Sequence, residues 1–178
     1  MKSAAVPVWD ALVRSLHWLL AAAVAAAWIT GHWFHPLHHA LGYGAAAIVA
    51  VRIPWGVWGS RHARFADFVH GPRATWRYAR ALMRGQAPRH LGHNPLGGWM
   101  IVALLVCVAL TSLTGFLYTT DWLWGYAWLE ALHAALAWLL ATLVAGHLCG
   151  VLAMSRVEGE NLVAGMWTGR KRRCNPPE

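Results

Sequence analysis

The stretch YAWLEALHAALAWLLATLVAGHLCGVLAM, Tyr126–Met154, decides the fold. A bilayer crossing needs roughly 20 predominantly apolar residues, and this run exceeds that length with Glu130 as its only charged side chain. Two histidines, His133 and His147, stand inside it. An ionisable group at membrane depth is costly and marks a functional position by default. The run therefore predicts a transmembrane helix that carries chemistry.

Working outward, three more blocks have the same character: about 15–34, 38–58 and 96–118. Trp and Tyr gather near their ends, at the headgroup level. Composition agrees, since only 12% of the 178 residues are charged against 58% hydrophobic, and a soluble domain carries about twice that charge fraction. So apolar a chain, with 13 Trp, excludes disorder. Three unpatterned cysteines exclude a disulfide scaffold. The expectation is one all-α domain over residues 1–178, an integral membrane four-helix bundle.

The net charge of +8 invites a nucleic-acid reading, but the placement of the 15 Lys and Arg opposes it. Lys2 and Arg14 precede the first span. Arg52, Arg61, Arg64, Arg73, Arg77, Arg80, Arg84 and Arg89 lie at the end of the second span or in the loop after it. Arg156, Arg170, Lys171, Arg172 and Arg173 follow the fourth. The connections 31–37 and 119–125 hold none. All the basic segments thus fall on one face, and the positive-inside rule puts both termini and the long loop in the cytoplasm, in contact with anionic lipid. The first span lacks a small-residue cleavage site at the right distance and is expected to be retained. Within the long loop, Pro72 suits a helix start and Gly85 its end, with Trp76, Tyr78, Ala79, Leu82 and Met83 among arginines. This predicts an amphipathic helix lying along the inner membrane surface.

Of the 11 histidines, four sit at membrane depth: His17, His38, His133 and His147. His133 and His147 are two heptads apart, on one seam of a left-handed bundle, and about 21 Å apart along the axis. They cannot share one ion. Spans alternate in direction, so His17 and His147 lie near the inner face and His38 and His133 near the outer. Two imidazoles from facing helices make a poor zinc site, because structural zinc takes four ligands. They suit haem iron, whose macrocycle supplies the other four nitrogens. The reading is two haem groups, one held by His17 and His147, the other by His38 and His133, with His39 as an alternative outer ligand. Fourteen residues after His17 stands Gly31, leaving room for a flat ring. Fourteen after His38 stands Arg52, and one turn before His17 stands Arg14. Both arginines are candidates to pair with inner propionates, though either could equally snorkel to the interface.

His32, His35 and His39 join His38 in a short outer segment that could bind zinc or copper or form a polar turn. His62, His70, His90 and His93 are scattered through the long loop. No Cys-x-x-Cys-His occurs, so covalent c-type haem is not expected, and no phosphate loop or Ser-His-Asp pattern is present. Cys107, Cys149 and Cys174 are expected to be free thiols.

The chain resembles the bacterial cytochrome b561 family, and more closely its branch with the b-type cytochrome subunits of nickel-iron hydrogenases. The matching pieces are Val8-Trp9-Asp10 with Arg14 and His17-Trp18, then His38 with Gly42-Tyr43, and Arg52, Pro54 and Gly56 with Gly59-Ser60 and Ala63-Arg64-Phe65. Next come Gly92-His93-Asn94-Pro95-Leu96-Gly97, the spaced His133 and His147, Glu160-Asn161-Leu162 and Thr168-Gly169-Arg170-Lys171. The resemblance selects His38 over His39. It implies four spans in the bacterial inner membrane, two bis-histidine b haems, and electron exchange between quinone and a redox partner, a periplasmic c-type cytochrome or a hydrogenase-like protein. It is silent on where quinone binds. Two other classes fit the same residues. One is an enzyme, a superoxide oxidase or quinone reductase acting without a protein partner; the other is a metal-ion or proton transporter using the outer histidines.

Overall fold

The computed structural model describes residues 5–31 and 33–172. His32, Lys2, Arg173 and Cys174, all named above, lie outside them. In chain order the elements are β1 (Ala5–Pro7), α1 (Ala11–Thr30), α2 (His35–Trp58), α3 (Phe65–Phe68), α4 (Pro72–Met83), α5 (Pro95–Tyr118), α6 (Ala127–Val157), α7 (Leu162–Thr168) and β2 (Arg170–Arg172). Helices α1, α2, α5 and α6 are long and apolar enough to cross a membrane, so the protein is an all-α integral membrane bundle. Their outward surfaces are apolar, with Leu19, Ile29, Leu113, Trp138 and Leu152 exposed. That surface is a liability in water and ordinary against lipid tails.

The span ends differ from the hydropathy blocks for local reasons. Helix α1 starts at Ala11 because Asp10 caps it, its Oδ1 accepting from the Val13 amide at 2.8 Å. It ends at Thr30, whose hydroxyl bonds back to the Ala26 carbonyl at 2.8 Å, rather than reaching residue 34. Helix α2 starts at His35, so the outer histidine run forms its first turn. Pro54 sits inside α2 and cannot donate to the Ala50 carbonyl, yet the helix continues to Trp58. Helix α6 runs on to Val157, and Gly159, at φ +59°, takes the left-handed turn beyond it.

Contacts divide the chain into two compact units. One comprises residues 15–53 and 102–145. Its core is Ala45 and Val49 of α2, Cys107 and Val108 of α5 and Leu140 of α6, with Leu20 and Val24 of α1 packed against them. Van der Waals packing of such side chains drives helix association in lipid.

The other unit comprises residues 1–14, 54–101 and 146–178. Here the structure adds what hydropathy did not predict. Strands β1 and β2 form an antiparallel ribbon, Val6 opposite Lys171. The basic stretch 170–172, read from sequence only as a topology signal, is structured. Lys171 is 4% exposed, its ammonium donating to Glu158 at 3.1 Å and to the His90 carbonyl at 3.2 Å. Arg89 pairs with Glu160. Asp10 is a hub, accepting from Trp55 Nε1 at 3.2 Å and from the Ser60 hydroxyl. The amphipathic helix expected from Pro72 is α4, and Gly85, at φ +68°, follows its end.

Candidate functional site

Helices α2 and α6 bring His38 and His133 together. Both are half-buried, and their ring centres are 6.1 Å apart with planes crossed at 87°. His38 Nδ1 lies 2.9 Å from the Ala27 carbonyl of α1. A carbonyl can only accept, so that nitrogen carries the proton. His133 Nδ1 likewise donates, shared between the Thr111 carbonyl and the Thr114 hydroxyl of α5, each at 3.1 Å. The Thr114 hydroxyl itself donates to the Leu110 and Thr111 carbonyls. With Nδ1 protonated on both rings, Nε2 is left as the lone-pair nitrogen on each. A second ring nitrogen fixed by a main-chain oxygen is how proteins orient metal-bound histidine.

This geometry fits a bis-imidazole iron site. Two rings that each hold a metal–nitrogen bond of about 2 Å on opposite sides of one ion stand about this far apart. Glycines stand near both rings. Gly42 lies one turn after His38 on the same helical face, and a Cβ there would meet nothing within 4 Å. A Cβ at Gly31 would lie 3.4 Å from the His38 ring, and one at Gly115 would lie 3.1 Å from His133 Cε1. Glycine is what these helices can place against the imidazoles.

The remaining predicted residues fall as follows. His17 is half-buried on α1, its ring edge-on to Trp18 at 4.9 Å. His147 is half-buried on α6. They belong to different units, His17 with residues 15–53 and His147 with 146–178. Arg52 is 8% exposed in α2. Arg14 donates to the Trp167 carbonyl beyond the fourth span. His39 is exposed, 6.2 Å from the His38 ring. Among the described residues no group of three or more His, Cys, Asp or Glu forms that could hold a metal ion. Sequence reasoning missed the groups behind the two imidazoles. Thr114, a buried hydroxyl in a span that also carries Thr111 and Ser112, was a legible signal. The Ala27 and Thr111 carbonyls, being main chain, leave none.

A helical membrane bundle with paired, carbonyl-anchored imidazoles is compatible with the class of b-type membrane cytochromes. Within it, the chain belongs to the prokaryotic cytochrome b561 family, whose model matches residues 8–169. Among curated proteins it is similar to a probable Ni/Fe-hydrogenase B-type cytochrome subunit of Azotobacter vinelandii, 28% identical over 159 residues, 74% of this chain and 66% of the relative. A probable subunit of the same kind from Azotobacter chroococcum mcd 1 matches with the same identity and coverage. The chain thus spans just under two thirds of these relatives' length. No solved structure matches it. Family membership and the four apolar helices make this a multi-pass membrane protein of the b-type cytochrome kind.

Proposed function

We propose that this chain holds two haem b groups, one between His38 and His133 and one between His17 and His147, and carries electrons across the bacterial inner membrane between the quinone pool and a redox partner. The partner is a periplasmic c-type cytochrome or a hydrogenase-like protein. The observation that carries the reading is the His38–His133 pair, 6.1 Å apart with both Nδ1 atoms committed to carbonyls. The second pair rests on its sequence register, two heptads from the first along α6 and at matched depth on α1. Arg52 and Arg14 are the cations for the propionates at that level.

Haem b supplies a one-electron couple when bound. The chain's own residues, His38 with His133 and His17 with His147, would hold the iron, and a group held by two histidines would suit outer-sphere transfer rather than oxygen binding. The basic segments set the orientation, with termini and the α2–α5 loop in the cytoplasm. Helix α4, with Trp76 and Met83 exposed beside Arg73, Arg77, Arg80 and Arg84, lies on the inner leaflet.

The test is a reduced-minus-oxidised spectrum with a pyridine haemochrome count on the purified chain. Two b haems per chain are expected. His38→Ala or His133→Ala removes one, and His17→Ala or His147→Ala removes the other. A stoichiometry of one, or a variant of either pair that keeps both, refutes the assignment. Rapid superoxide oxidation by the isolated protein would instead establish the enzyme reading.

A further inference from the structure

The first turn of α2 carries a second, unused pair of imidazoles. His35 and His39 are four residues apart, hence on one helical face, and both are exposed. Together they line an open hollow of about 420 Å³ with Tyr43, Tyr118, Thr119 and Trp124. His38, between them in sequence, is committed elsewhere: its Nδ1 donates to Ala27 and its ring stands against His133. His35 and His39 thus face a separate, solvent-reached space.

Two histidines at i and i+4 on a helix form a two-point chelate, the spacing helical zinc sites use. The rest of the wall suits a hydrated cation. The Tyr43 and Thr119 hydroxyls bond each other at 3.2 Å, presenting oxygens that metal-bound water can hydrogen-bond. Tyr118 donates to Glu130 at 3.5 Å, placing a carboxylate behind the wall. No Lys or Arg occurs in residues 31–37 or 119–125, so neither connection sets a positive charge against an incoming cation. Imidazole donors select copper, zinc or nickel over magnesium or calcium, which take oxygen ligands.

We propose that His35 and His39 bind one late first-row divalent metal ion at the mouth of this hollow, Cu(II) more tightly than Zn(II). The protein supplies two nitrogens, and water supplies the remaining positions. The site is independent of the haem assignment, since it uses neither His38 nor His133.

The test is a titration of the full, untagged chain in detergent micelles with copper(II) sulfate and with zinc chloride, by calorimetry, with electron paramagnetic resonance on the copper form. One ion per chain is expected, with two imidazole nitrogens coupled to Cu(II). His35→Ala and His39→Ala should each weaken binding about tenfold or more, because each loses the intramolecular second contact. The double variant should lose the site while its absorption spectrum matches the parent, which shows the fold intact. His70→Ala should bind as the parent does. A double variant that binds as tightly as the parent, or a parent that takes up no ion at millimolar metal, overturns the proposal.

Discussion

Gly115→Ala should destabilise the protein although helix propensity favours the change. Gly115 is in the interior of α5, where Gly→Ala ordinarily gains about 0.5–1 kcal/mol. The new Cβ would lie 3.1 Å from His133 Cε1 and 3.5 Å from His133 Nδ1. At that range the imidazole must yield by some tenths of an ångström, but it is pinned by Nδ1 to Thr111 and Thr114 of the same helix. Overpacking against a ring with no free direction costs about 1–3 kcal/mol, and the shift also strains a hydrogen bond worth about 1 kcal/mol. The net expectation is a loss of roughly 1–2 kcal/mol. Gly44→Ala is the control: it is also helical, and its Cβ would meet nothing within 4 Å, so only the propensity gain remains. The assay is unfolding in mixed micelles followed by circular dichroism, with the haem count measured in parallel. If Gly115→Ala is stabilised as much as Gly44→Ala and binds haem in full, the close packing of α5 on His133 is wrong.

Three further outcomes follow from the unit that holds the ribbon. Burial alone would raise the Asp10 carboxyl, but hydrogen bonds from Ser60, Val13, Trp55 and Leu12 outweigh it and hold the group below its ordinary value. Its stabilisation is therefore complete above about pH 4 and lost as pH falls through the lower folded value; Asp10→Asn should flatten that acid limb in a denaturation-versus-pH series. Lys171→Met leaves Glu158, whose side chain is 6% exposed, with only the weaker Arg89 contact at 3.8 Å. It should cost about 3 kcal/mol, and adding Glu158→Leu should recover much of the loss, as read by a double-mutant cycle. Gly56→Ala would drive a Cβ into the Phe65 ring and should abolish accumulation of folded protein, with Phe65→Ala restoring it in a detergent-solubilised fluorescence assay.

Much of this architecture was legible because lipid imposes one rule on every span. A run of apolar residues long enough to cross must be helical, so α2, α5 and α6 were found within a few residues. The errors are at polar contacts that hydropathy ignores. Asp10 extends α1 backwards through a cap, and Thr30 ends it early. The ribbon was not legible at all: Ala5–Pro7 and Arg170–Arg172 show no alternation, and each strand exists only because the other arrives from the far end of the chain. Lys171 looked like one more tail charge because its burial depends on Glu158 and the His90 carbonyl meeting it. At the site, alternating span direction was enough to put His38 and His133 at one level. Which ring nitrogen bonds the main chain was not, since the deciding partners are carbonyl oxygens, which carry no sequence signature.

Those carbonyls bear on how the site works. At the level of His38 and His133 each long helix supplies one part: α2 and α6 the two imidazoles, α1 the Ala27 oxygen behind the first, α5 the Thr111 and Thr114 oxygens behind the second. Neither ring can rotate about its Cβ bond without giving up a hydrogen bond inside an apolar interior, where an unpaired donor costs about 1–3 kcal/mol. On the proposed assignment, an imidazole so held would keep one tautomer and one orientation whether or not an electron arrives, and little rearrangement would accompany the change in charge. A structural histidine needs only a single partner and would tolerate either ring nitrogen in that role. Two facing histidines, each bonded through Nδ1 to a main-chain oxygen of a different helix, are the feature on which the proposed haem assignment rests.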